Sequence, residues 1–350
     1  YLPTSRLTPG MALGQDIYDG AGRLLLGRHI LLTEEQISNL EFLGFPGAYV
    51  DDEFSRGIEI QQIVSPEVRR QALKIVYDLF HTDMRKQEPS EAEFKLRKTV
   101  ESVVDDVICN GDIMCNIMDI KSYDDYIYYH SIHVGILSVV VGARLGLPHD
   151  ELCQLAAAAL LHDIGKRFID HDIVRMGKAH RSEEEQEVYR SHPKIGAEYL
   201  RETCRFSADV YEGIMEHHEC YNGEGYPLGK KGAEIHLFAR IIRIADCYDA
   251  KTSAFPAQKS LSPSEALEYV MALGDRWFDP DIVAVFARKV AAYPIGCEVE
   301  LSNGQHAVVA RNFENFPLRP LVRVVETGEM LNMRDDEKAR AVTVGRLIVR

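Results

Sequence analysis

Between His130 and Asp246 the sequence places His130, the doublet His162-Asp163, His192, the doublet His217-His218 and Asp246, each inside or beside a segment expected to be helical. Imidazole and carboxylate together suit first-row divalent ions such as Fe, Mn, Co, Ni or Zn. The seven cysteines form no C-x-x-C pair, which argues against a structural thiolate zinc site. A carboxylate can lend one oxygen to each of two ions, whereas a neutral imidazole gives one nitrogen to one. A two-ion site therefore needs histidines around a bridging acid, and Asp163 is the residue placed to bridge. Two ions roughly 3.5–4 Å apart can hold a hydroxide for in-line attack on phosphorus while neutralising the phosphate oxygens. Chemistry of that kind is hydrolytic and needs no protein nucleophile.

One histidine on a helix is ordinarily a satisfied core or surface residue. The doublet is different, because Leu160-Leu161-His162-Asp163-Ile164-Gly165-Lys166 sets polar side chains among aliphatic ones. Burial there without a metal or hydrogen-bond partner is costly. His217-His218-Glu219 runs into a Gly-rich loop ending in Gly225-Tyr226-Pro227, where the backbone can approach a ligand closely and form the lip of a site.

The elements that must position these residues are mostly helices. Residues 1–62 read as a small α/β module: short apolar runs at Asp16-Ile17-Tyr18, Leu24-Leu25-Leu26 and Ala48-Tyr49-Val50 are split by glycines, and Thr33-Glu34-Glu35-Gln36 caps a short helix. Residues 63–121 read as connecting helices, opened by Ser65 as cap and Pro66 at the first helical position. Residues 122–292 form the helical domain that carries the His and Asp residues. Residues 293–350 are β-rich, with an alternating Cys297 to Leu301 run, a Ser302-Asn303-Gly304 turn and a strand from His306 to Val309. The expected class is mainly α, with small β-containing segments at both ends.

Composition narrows the function classes. At 350 residues, 46% hydrophobic and 27% charged, the chain has enough apolar surface for one large core or several small ones. A net charge of −14 disfavours a general nucleic-acid-polymer surface. The longest apolar run, Val134 to Val141 and then Leu145 to Leu147 after an Arg, is too short and interrupted to cross a bilayer, so no membrane insertion is expected. Scattered, odd-numbered cysteines fit a reducing, cytoplasmic setting.

The doublet His162-Asp163, His192-Pro193, His217-His218-Glu219, Gly225-Tyr226-Pro227 and Asp246-x-x-Asp249 together resemble, in order and spacing, the HD-GYP phosphodiesterases, over roughly Ser122 to Phe286. The resemblance implies an HD-type helical bundle and a bacterial enzyme that opens cyclic dinucleotides, chiefly cyclic di-GMP, by attack of a metal-bound hydroxide on phosphorus. It implies two divalent ions, Fe or Mn first and Zn, Co or Ni as alternatives. His130, His162, Asp163 and Asp246 would hold one; Asp163 would bridge to the other, completed by His192, His217 and His218. His133 is not assigned as a ligand. Lys166 matches the family's cation, as a neutraliser of phosphate oxygen or an aid to leaving-group protonation, and Gly225, Tyr226 and Pro227 would contact substrate. Some relatives add a carboxylate one turn before the first His for a third ion; here Tyr126 stands there, with Asp125 beside it.

Two departures bear on substrate. Where the family has Arg-Pro-Tyr-Arg this chain has Phe255-Pro256-Ala257-Gln258, a loss of charge-assisted contacts of about 1.5–3 kcal/mol each. Val174-Arg175-Met176-Gly177-Lys178 replaces the usual Leu-x-Lys-Pro-Gly, and Lys251, Lys259, Arg240 or Arg243 are the candidates to compensate. The competing readings are the same chemistry on cyclic GMP-AMP or another nucleotide, and a catalytically silent metal-binding signalling module. A homodimer or a signalling protein is the partner expected beside the substrate.

Overall fold

The chain is described from a computed structural model covering residues 1–86, 89–116, 125–253 and 260–348. Its helices are α1 Glu34–Phe42, α2 Pro66–His81, α3 Pro89–Cys109, α4 Tyr126–Arg144, α5 His149–Leu161, α6 His171–Arg175, α7 Glu183–Arg190, α8 His192–Thr203, α9 Ala208–Glu216, α10 Leu237–Thr252, α11 Pro263–Ala272 and α12 Pro280–Lys289. Helix α4 is the centre of the bundle: every residue from Tyr129 to Gly142 is buried. By length and composition it could cross a membrane, yet 78% of its most apolar window is buried inside the protein. An all-round apolar helix of this kind is a core helix. Gly135 and Gly142 let α5 come close, since a Cβ on either would meet Leu160 at 2.9 Å or Leu155 at 2.7 Å.

The ends of the chain are β-structured. Near the N-terminus lie three two-stranded ladders, antiparallel throughout: β1 Leu2–Pro3 with β5 Gly47–Ala48, β2 Ala12–Leu13 with β6 Val50–Asp51, and β3 Ile17–Tyr18 with β4 Leu24–Leu26. They enclose a small core of their own around Leu13, Ile17, Leu32 and Leu40. At the other end β7 Glu298–Leu301, β8 His306–Arg311, β9 Leu321–Val324, β10 Met330–Asn332 and β11 Val344–Leu347 form one antiparallel sheet in the order β10-β9-β8-β7-β11. Alternation sends Val299, Leu301, Ala307, Val309, Val322 and Val324 inward, where they join the core that also contains the helices.

Thr33 and Gln36 do form the expected reciprocal cap on α1. Ser65 does not cap α2: its hydroxyl and its backbone N–H both donate to Asp106 Oδ2, at 2.8 and 2.9 Å, tying the start of α2 to α3. A long-range carboxylate displaced the local cap. The two strands β10 and β11 carry too little alternation to be read from the sequence.

Candidate metal centre

Three of the site histidines stand at helix ends, where a side chain can reach the backbone of its own turn. His162 follows α5, His192 opens α8 and His217 follows α9. Each donates Nδ1–H to the carbonyl three residues earlier, Ala159, Tyr189 and Ile214 respectively, each at 2.7 Å. With the proton held on Nδ1, every Nε2 is left as a lone pair aimed inward. The backbone is brought together at Gly165, where a Cβ would lie 2.0 Å from the His192 carbonyl oxygen, and at Gly196, which packs on Gly165. This close approach sets Asp163 Oδ1 3.2 Å from His192 Nε2.

Two groups of potential ligands result, Asp163 with His192, His217 and His218, and His130 with His162 and Asp246; within each group the ligand atoms lie within 4.8 Å of one another. All seven residues expected from the sequence are therefore gathered. Their mutual geometry asks for a cation. His192 Nε2 and His217 Nε2, both acceptors, face each other at 3.3 Å. His162 Nε2, Asp163 Oδ1 and His218 Nε2 are buried without a hydrogen-bond partner. Buried acceptors in that condition are costly, and a divalent ion in each group would satisfy them. The nitrogen and oxygen donor set fits the first-row ions expected from the sequence.

The electrostatics agree. Burial holds His162, His217 and His218 below the usual imidazole range, so they present neutral nitrogens. Burial works against Asp163 ionising, but Lys166, His162 and His192 hold its carboxyl well below the normal range. Burial likewise opposes a charge on His130, yet its hydrogen bonds to Asp246 and Asp249 push it up to about 9. Asp246 is held low, against its burial, by His130.

Over this floor opens a cleft of about 600 Å³. Lys166 lines it, donating to Asp163 Oδ2 at 2.5 Å. Tyr226 stacks on His218 with ring centroids 4.8 Å apart, and Arg190 lies 5.6 Å from the tyrosine ring on the cleft wall. Gly225 and Pro227 are not among the lining residues; Gly225 lets the loop fold onto itself, where a Cβ would sit 2.2 Å from the Cys220 nitrogen. The segment Val174 to Lys178 lines the cleft as a whole. Tyr126 also lines it, stacked on His130 at 5.1 Å, whereas Asp125 faces the N-terminal module at Gly20.

Of the basic residues considered as compensators, Arg243 reaches the cleft. Its Nε is buried without a partner, and its Nη1 lies 3.6 Å from Asp246. Arg240 is committed to Asp279 at 2.6 Å, and Lys251 rests 4.7 Å over the Tyr269 ring. Phe255, Gln258 and Lys259 lie outside the described residues. Sequence reasoning missed Arg190 and Gln186, whose Nε and Oε1 are unpartnered on the cleft wall. The available signal was the placement of Arg190 two residues before His192.

Comparison with known proteins places this geometry. The family described as "HD domain" matches residues 116–282. The Pseudomonas aeruginosa protein named cyclic di-GMP phosphodiesterase PA4108 is 33% identical over 226 residues, 64% of this chain and 54% of that protein. The Xanthomonas campestris cyclic di-GMP phosphodiesterase response regulator RpfG is 39% identical over 151 residues, 43% of this chain and 39% of its own length. The chain thus spans about half or less of these curated relatives. A solved structure of Bdellovibrio bacteriovorus, described as an HDG"Y"P protein, superposes with a TM-score of 0.51 at 17% identity, covering 82% of this chain and 97% of that one, a likeness of fold. The match from residue 116 to residue 282 spans the helices that gather the histidines and aspartates of the site.

Proposed function

We propose that the protein is a metal-dependent phosphodiesterase that hydrolyses a cyclic dinucleotide, cyclic di-GMP first. The observation that carries the reading is the convergence of unpartnered Nε2 lone pairs and a buried, ionised Asp163 beneath a cleft of about 600 Å³ whose wall is cationic. The relatives named as cyclic di-GMP phosphodiesterases support the substrate class. His130, His162 and Asp246 would hold one ion and His192, His217 and His218 the other, with Asp163 between them. Bound Fe or Mn ions would supply an activated water and neutralise charge developing on the phosphate.

The chain's own residues do the rest. Lys166, opposed by burial but drawn up by Asp163, keeps its proton throughout the physiological range. It serves as a fixed positive charge toward a phosphate oxygen rather than as a proton donor poised near neutrality. Tyr226, Arg190 and Arg243 orient the nucleotide, the ring by stacking and the guanidiniums by donating to phosphate. The Val174 to Lys178 segment, on the cleft wall, offers further contacts to the nucleotide.

The test is turnover of cyclic di-GMP and cyclic GMP-AMP by the full chain loaded anaerobically with Fe(II) or Mn(II), with linear products followed by chromatography beside an Asp163→Ala control. Metal-dependent cleavage lost in the control is expected. Silence from metal-loaded protein on both substrates would overturn the reading. Phe255 and Gln258, standing where the family has arginines, are the reason cyclic GMP-AMP belongs in the panel.

A further inference from the structure

His133 has no place among the ligands, yet it is 1% exposed at the middle of α4. Its Nε2 lies 2.7 Å from Arg69 Nη2, and its Nδ1 lies 2.7 Å from Asp249 Oδ1. The other oxygen of Asp249, Oδ2, lies 2.7 Å from His130 Nδ1. Three short links thus join an arginine on α2 to a histidine of the metal centre. Directions along the chain follow from donor inventory. A guanidinium only donates, so His133 Nε2 must accept and the His133 proton must sit on Nδ1. That proton goes to Asp249, which, as a carboxylate, accepts from His133 and from His130 alike. His130 is then held with its proton on Nδ1 and its Nε2 lone pair facing the group formed with His162 and Asp246.

We propose that Arg69 is a positioning residue for the metal centre: through His133 and Asp249 it sets the direction of the hydrogen bonds that aim His130 Nε2 at the ion. The inference rests on the metal-centre reading above. Arg69 lies before residues 116–282, so the centre is completed by a side chain from outside the matched domain. Without the guanidinium, His133 can carry its proton on either nitrogen, and one of those two forms turns a lone pair toward Asp249. The β3–β4 hairpin of the N-terminal module packs on the same helix, with Gly22 against the Arg70 carbonyl, while Tyr129 donates its hydroxyl proton to the Tyr18 carbonyl at 2.8 Å. The N-terminal module therefore bears directly on α2 and α4, two of the three helices that the relay joins.

The experiment is Mn(II) titration of the full chain by calorimetry, with thermal melting of the metal-free protein in parallel. Arg69→Met and His133→Leu should each weaken Mn(II) binding by roughly tenfold, the low end of the range for outer-shell partners, and Arg69→Lys should stay within about threefold of wild type. Lys keeps a charged donor toward His133 Nε2; Met at position 69 and Leu at position 133 break that link. A purely structural tie would shift melting with His133→Leu and leave Mn(II) affinity alone. Wild-type affinity in both Arg69→Met and His133→Leu would overturn the inference and leave the metal centre standing. A wild-type chain that takes up no Mn(II) would overturn both. Should Arg69→Met fail to fold, the Arg69→Lys and His133→Leu pair decides by itself.

Discussion

The floor of the cleft and its rim are built on opposite principles. On the floor, His130, His162, Asp163, His192 and His217 are each at most 2% exposed, and three of the imidazoles are tied to the carbonyl of their own helical turn. On the rim, Arg190 and Arg243 present unpartnered Nε atoms, while Lys178 stands exposed. Buried, locally anchored ligands hold their geometry before an ion arrives. Donors left open in the cleft wall suit a ligand that brings its own phosphates. The contrast teaches that the reaction class is written in the floor and the substrate preference in the rim.

The largest effect expected is on the floor. Asp163→Ala, which removes the carboxylate grouped with His192, His217 and His218, should lower turnover by on the order of 10³-fold or more, with bound metal falling in parallel by elemental analysis. Retained activity would break the contrast outright. Gly165→Ala should act on the same region through packing alone: a Cβ 2.0 Å from the His192 carbonyl must push α8 away from the Asp163 turn, at a cost of about 1–3 kcal/mol. The check is a lowered melting temperature together with weaker metal uptake.

A rim substitution should behave differently. Arg243→Met should raise KM for the cyclic dinucleotide by roughly tenfold, the value of about 1.5 kcal/mol for a charged hydrogen bond, with metal content unchanged. The accompanying KM should also depend less on salt. A matching fall in metal content would instead assign Arg243 to the floor.

The last effect is a pH dependence confined to the floor. In the metal-free protein the His130 pKa is pushed up to about 9, so below that pH an ion must displace a proton to reach its Nε2. Metal affinity at that group should therefore rise with pH, by up to about tenfold per unit, and level off above pH about 9. His162, His217 and His218, whose pKa values burial lowers, are already neutral and add no slope. Isothermal titration across the pH range reads this directly, and a flat profile would remove His130 from the ligand set.

The floor is legible in the sequence because its cost is local. A His-Asp doublet among leucines and isoleucines must be satisfied by something, and the repeat of such residues at helix ends narrows that something to metal. The helical class and the terminal β-segments are legible from periodicity and turn residues. Other features are not. Ser65 looks like a cap and instead binds Asp106, 41 positions away. Arg69 sits 64 positions from His133, and no short-range pattern connects them.

By itself, then, the sequence determined the mainly helical class with β-structured ends, the seven candidate ligands and Lys166, because those depend on residue chemistry and near-neighbour spacing. Only the tertiary structure decided which basic residues face the cleft. Arg240 and Arg243 share α10 three residues apart, yet one is spent on Asp279 and the other opens onto the site. Only the fold, likewise, showed that His133 closes a relay running from α2 to α10. The physical reason is the same in both cases: a long polar side chain takes its role from the partner that folding places within hydrogen-bonding distance, and those partners come from distant parts of the chain.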